Sequence, residues 1–130
     1  MRALLQLPTG APPVPLMNAR LASSVGYDEA WLQQLLFDHP ELLPLEVIDP
    51  GAGPFIPVCR ELAMPKAGGS VFLDLFGVTA AGRPVLVECK LWRNPQARRE
   101  VVGQLLEYAA LLKGWSYGDL ILLAYSEVSL

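Results

Sequence analysis

Three charged residues interrupt two otherwise apolar runs. Asp74 lies in Val71-Phe-Leu-Asp-Leu-Phe-Gly-Val-Thr79, and Glu88 and Lys90 lie in Pro84-Val-Leu-Val-Glu-Cys-Lys-Leu-Trp92. Side chains alternate across an extended strand, so Phe72, Asp74 and Phe76 share one face of the first run. Leu86, Glu88 and Lys90 likewise share one face of the second. Ala80-Ala-Gly82 between the runs is a hairpin signal, and a three-residue loop there sets Asp74 directly opposite Glu88. Facing Cβ atoms in such a pair lie about 4.5 to 5.5 Å apart, so two carboxylates repel unless a cation sits between them. Two hard oxygen ligands with positions left for water and phosphate oxygens suit Mg²⁺ or Mn²⁺. An ammonium on the same face can hold a water or neutralise charge developing on phosphorus. The chemistry implied is phosphodiester hydrolysis by metal-activated water. A two-residue loop would instead oppose Asp74 to Cys89 and send the acids to opposite faces, leaving a plain α/β domain with exposed charges.

The segments that must position these residues are marked by prolines, glycines and apolar spacing. Pro8, Pro12, Pro13 and Pro15 beside Gly10 predict an extended Pro-rich arm over residues 1–24, ahead of one domain over residues 25–130. Trp31, Leu32, Leu35 and Leu36 recur at helical spacing within Asp28–Phe37, with acids in the first turn and Pro40 and Pro44 ending the helix. Asp49-Pro-Gly-Ala-Gly-Pro54 reads as a loop. Phe55–Leu62 reads as a strand that Pro57 confines to an edge, and Lys66-Ala-Gly-Gly69 as the next turn. Asn94-Pro95 opens a helix of about eighteen residues that Gly114 stops. Asp119–Tyr125 predicts a closing strand, so the expected order is α-β-β-β-α-β.

Composition bounds the partners. The 130 residues suit one domain, and ten Lys plus Arg against thirteen Asp plus Glu leave a net charge of −3. That balance excludes a strongly basic nucleic-acid coat, so any polyanion must meet a local patch. A chain that is 52% hydrophobic and 18% charged can bury a core. No apolar run reaches the roughly 18 to 20 residues that span a bilayer, and Gln6 and Pro8 spoil the N-terminus as a signal peptide, so no membrane partner is expected. With only Cys59 and Cys89 there is no disulfide framework, and a reducing cytoplasm is the expected location.

Asp74, thirteen intervening residues, Glu88-Cys-Lys90 and a following helix bearing Gln104 and Tyr108 resemble the PD-(D/E)xK nuclease superfamily. The segment Glu88-Cys-Lys-Leu-Trp-Arg-Asn-Pro95 through Arg98-Arg-Glu-Val-Val-Gly-Gln-Leu-Leu-Glu-Tyr108 is similar to a group of uncharacterised bacterial members. The resemblance spans about residues 28–125 and departs at Leu73, where the motif has proline. It implies a restriction-endonuclease-like core, an α/β fold with a mixed central sheet flanked by helices, and a Mg²⁺- or Mn²⁺-dependent endo- or exonuclease acting on DNA. Asp74 and Glu88 would be metal ligands, the Cys89 carbonyl would complete the inner shell, and Lys90 would position or activate the attacking water. Gln104 would reach in from the second helix. Many members add an acid from the first helix; Glu29 fits best, with Glu61 and Glu41 as the other candidates.

Plainer readings stand beside these. Glu-x-Lys on a strand is common as an exposed ion pair, and Gln104 alone would be an ordinary helical residue. Tyr108 suits core packing with a bonded hydroxyl, and Cys89 a small buried hydrophobe. Cys59, Cys89 and His39 match no standard zinc spacing. Arg93, Arg98 and Arg99 near a helix start could seat a substrate phosphate or be solvated charge. The competing function is a catalytically silent module of the same fold that binds nucleic acid or protein. Seven arginines and three lysines make a small basic patch at most, so dimerisation or a further domain of a longer protein would have to supply more grip.

Overall fold

The computed structural model describes residues 26–90 and 95–128. The expected Pro-rich arm, Arg93 and the Asn94 cap lie outside these. Helix α1, Glu29–Asp38, starts where Asp28 Oδ1 accepts the Trp31 amide at 2.8 Å, an N-cap that satisfies one of the free first-turn donors. A 3₁₀ turn, Pro40–Leu42, and a short helix α2, Leu45–Ile48, follow. Strands β1, Phe55–Lys66, β2, Gly69–Thr79, and β3, Pro84–Val87, form an antiparallel sheet in the order β1-β2-β3. Helices α3, Pro95–Leu112, and α4, Tyr117–Val128, complete the chain. The molecule is thus mixed α/β, with a three-stranded antiparallel sheet and four α-helices among the described residues.

The hairpin has the expected register. Leu75 pairs with Val87, Phe76 with Leu86, Gly77 with Val85 and Val78 with Pro84, around the loop Ala80–Gly82. Gly82 takes φ +79°, the left-handed conformation that a three-residue hairpin loop requires of its last residue. Pro57 lies in an edge strand and borders a β-bulge between Pro57 and Cys59, where a missing amide donor costs little.

Two expectations are corrected. The strand expected to run to Trp92 ends at Val87, because the Cys89 amide leaves the ladder and donates to Asp74 Oδ2 at 2.7 Å. The segment Asp119–Tyr125 is part of helix α4 rather than a closing strand, so the expected mixed sheet is purely antiparallel among the described residues. The cause is a capping box: Asp119 Oδ2 accepts from the Ser116 amide at 2.6 Å, and Ser116 Oγ accepts from the Asp119 amide at 3.2 Å. A short aliphatic run fits either helix or strand, and here the start signal decides.

The core joins Cys59, Leu62, Met64, Leu73, Phe76 and Tyr108, with Leu105, Leu111 and Leu120 packed against it, so both long helices seat on the sheet. Tyr108 is buried and its hydroxyl donates to the Phe72 carbonyl at 3.1 Å, which ties α3 to the strand carrying Asp74. Tyr108→Phe removes that bond at little change of volume. It is expected to cost about 1 kcal/mol in urea unfolding, with the Phe72 carbonyl left unpaired. No helix among the described residues is long and apolar enough to cross a membrane.

Candidate active site

Five of the residues singled out from sequence come together where the hairpin ladder ends. Asp74 sits one position past the last paired residues of β2, where its carboxylate takes the Cys89 amide. Glu88 accepts in return from the Asp74 backbone amide, so side chains continue the cross-strand bonding. The Glu88 side chain is only 2% exposed; its Oε1 lies 3.3 Å from Lys90 Nζ. Among the described residues its Oε2, which is buried, has no hydrogen-bond partner. Lys90 Nζ also lies 3.9 Å from Glu29 Oε2, so the first helix brings Glu29 beside Lys90.

The electrostatics are those of carboxylates short of positive charge. Burial pushes the Asp74 carboxyl above its ordinary value, against the Cys89 amide and Lys90; Glu61 and Glu29 raise it further. Burial and then the Asp74 charge push Glu88 up, against Lys90. Burial works against the Lys90 ammonium, but Glu88, Glu29 and Asp74 outweigh it and hold its pKa above the usual lysine value. Lys90 is therefore a fixed cation at neutral pH, suited to holding a phosphate or water rather than to taking a proton. Burial pushes the Cys89 thiol up to about 12, with the neighbouring acids adding to it, so this cysteine is no nucleophile.

These shifts predict a pH dependence. A carboxyl whose folded pKa is raised stabilises the fold below its unfolded value and loses that contribution as pH rises through the folded value. In divalent-free buffer, Asp74 and Glu88 should therefore lower stability from about pH 4 toward neutrality. Melts of the protein and of Asp74→Asn should coincide near pH 4 and separate as pH rises, with Asp74→Asn the more stable. A constant gap would refute the assignment.

The other candidates divide. Gln104 is partly buried on α3, and its Oε1 has no hydrogen-bond partner among the described residues. Glu61 stands between the pairs Arg60–Leu75 and Leu62–Leu73, hence opposite Asp74, at φ +55° and exposed. Glu41 instead pairs with His39 at 3.2 Å on the exposed 3₁₀ turn. Arg98 and Arg99 are exposed near the start of α3. Among the described residues no group of three or more His, Cys, Asp or Glu side chains is arranged to hold a metal.

Arg60 is a residue near the site that motif spacing does not single out. From β1 it reaches α1, where Nη1 donates to Gln34 Oε1 and Nη2 to Gln33 Oε1 at 3.4 Å. Gln33 is the one buried residue of that helix. The available signal is a cation within an apolar strand-like run, facing an amide one turn after Glu29. Comparison of the chain with protein-family models, with curated proteins and with solved structures finds no match.

Proposed function

We propose that this chain is a metal-dependent nuclease that hydrolyses phosphodiester bonds of DNA, with Asp74, Glu88 and Lys90 as its catalytic residues. The observation that carries the reading is the buried, unpartnered Glu88 Oε2 beside Asp74, with Lys90 against its other oxygen. Two carboxylates at a strand end, both raised in pKa, are a donor set short of a dication. Mg²⁺ is commonly held by one or two carboxylates plus waters and substrate phosphate, so a third acid is not required. Asp74 and Glu88 would hold the ion, with the Cys89 carbonyl as a further ligand. When bound, it supplies Lewis acidity: it lowers the pKa of water and neutralises charge at phosphorus.

The remaining roles belong to the chain itself. The Lys90 ammonium, restrained between Glu88 and Glu29, places a fixed positive charge where the transition state gains negative charge. Glu29 keeps that ammonium from folding wholly onto Glu88. The Gln104 carbonyl oxygen, unpartnered among the described residues, is an acceptor for a water or a substrate group. With the short α2 set aside, the order α1, β1, β2, β3, α3 is compatible with the α-β-β-β-α part of the expected core, and helix α4 stands where that core has its last strand.

The test is incubation of purified protein with single- and double-stranded DNA and RNA in Mg²⁺ or Mn²⁺, beside Lys90→Ala and an EDTA control. Cleavage of DNA that falls at least a hundredfold in Lys90→Ala, about the loss expected for one transition-state charge, supports the proposal. Equal cleavage by both proteins, or none by either at high concentration, overturns it. The second outcome would favour the silent binding module.

A further inference from the structure

We infer that Arg60 is a phosphate-binding residue, taking a backbone phosphate of a nucleic-acid strand beside the one at Lys90. The inference rests on the nuclease reading for the neighbouring site and adds a second point of grip to it.

The guanidinium is held without being neutralised. Arginines fixed for structural reasons are usually held by a carboxylate, which cancels the charge and fills the planar fork. Arg60 is held by two neutral carboxamides, Gln33 and Gln34. Among the described residues no carboxylate lies within ion-pair distance of it, although the other paired cations there, Lys66, Arg83 and Lys90, each have one. Its Nε–H is buried and, among the described residues, has no acceptor. A cation that is ordered but keeps its full charge, with a donor still unmet, is a receptor for an anion. Leaving such a donor unmet is unfavourable, so the arrangement calls for a compensating partner.

Position names the anion. Gln33 follows Glu29 by one helical turn on α1, and Glu29 meets Lys90. Side chains so spaced lie about 5 to 6 Å apart on a helix surface. The bond to Gln34 is at an exposed contact, so the guanidinium is approachable from solvent there. A nucleic-acid strand with one phosphate at Lys90 therefore runs along α1 toward Arg60. The acids Glu29 and Glu61 near the site repel a strand, and the net charge of −3 adds to that, so a fixed cation here contributes a large share of the attraction.

The experiment uses the full-length protein and a fluorescent single-stranded deoxyoligonucleotide. Binding is followed by anisotropy over a salt series, in Mg²⁺ with Glu88→Gln as the background, for Arg60, Arg60→Gln and Arg60→Lys. The Arg60 Nε–H resonance of the otherwise unsubstituted protein is followed in parallel with the oligonucleotide and with inorganic phosphate. Expected are a tenfold to hundredfold weaker affinity in Arg60→Gln, a log–log salt slope shallower by nearly one, partial rescue by Arg60→Lys, and a resonance that moves with the oligonucleotide. Unchanged affinity and slope, a resonance that moves with neither probe or only with inorganic phosphate, or no oligonucleotide binding at all overturns the inference. The resonance is read without a substitution at Arg60, so poor folding of a variant does not blunt the result. Arg60-dependent binding in that background, together with no cleavage by the protein that retains Glu88, would sink the nuclease reading and leave this site standing. Cleavage with an unchanged KM in Arg60→Gln would do the reverse.

Discussion

Glu88→Gln is expected to abolish cleavage and, in divalent-free buffer at neutral pH, to raise the melting temperature. Two opposing effects set the sign. The substitution removes a charge from a side chain that is 2% exposed and faces Asp74, and the new amide NH₂ can donate to that carboxylate. It also weakens the contact with Lys90, but an ion pair whose lysine is partly solvated is worth about 0 to 1 kcal/mol. Relief of a buried, half-satisfied carboxylate outweighs that loss, at about 1 to 3 kcal/mol before the ion pair is deducted. The net gain of about 1 kcal/mol corresponds to roughly 4 °C in a domain of this size. Mn²⁺ should then raise the melting temperature of the protein but not of the variant, since binding to the native state alone stabilises it. A lower melting temperature for Glu88→Gln, or cleavage at the unsubstituted rate, would show that Glu88 is a structural acid already satisfied in the fold.

Gly77→Ala is expected to cost about 3 kcal/mol, lowering the melting temperature by roughly 10 °C, and to remove any activity with it. Gly77 is in β2, paired with Pro57, beside the bulge. A Cβ there would press on Phe55 Cε2 and the Ile56 carbonyl oxygen, and would come within 2.7 Å of Phe55 Cζ. The phenyl ring is buried, and the carbonyl belongs to the strand itself, so neither can step aside cheaply. Replacing glycine stiffens the unfolded chain, worth about 0.4 to 1 kcal/mol, but the clash exceeds it. The change should open the β1–β2 pairing just below Asp74. A thermal melt within 2 °C of the unsubstituted protein would mean that the strands shift freely at this point.

The chemistry-bearing residues and the register joining them are legible in the sequence because both are local. Asp74, Glu88 and Lys90 stand out as charges in apolar runs, and loop length alone sets which residues of a hairpin oppose one another. The start of the first helix near Asp28 and the helix opening at Pro95 are local in the same sense. The closing helix is also written locally, in Ser116-Tyr-Gly-Asp119, but the aliphatic run behind it matches either period and hides the cap when period alone is followed.

What only the tertiary structure decided was which groups are buried and who meets them. Glu29 rather than Glu41 reaches Lys90 because α1 lies against the sheet and the 3₁₀ turn does not bring its acid there. Glu88 lost water from one oxygen, and Arg60 gained amides instead of a carboxylate, through packing between segments far apart in the chain. Turn geometry follows from a few neighbouring dihedral angles, whereas desolvation and the choice of partner depend on every surface that closes over a group, and no window of the sequence contains those surfaces.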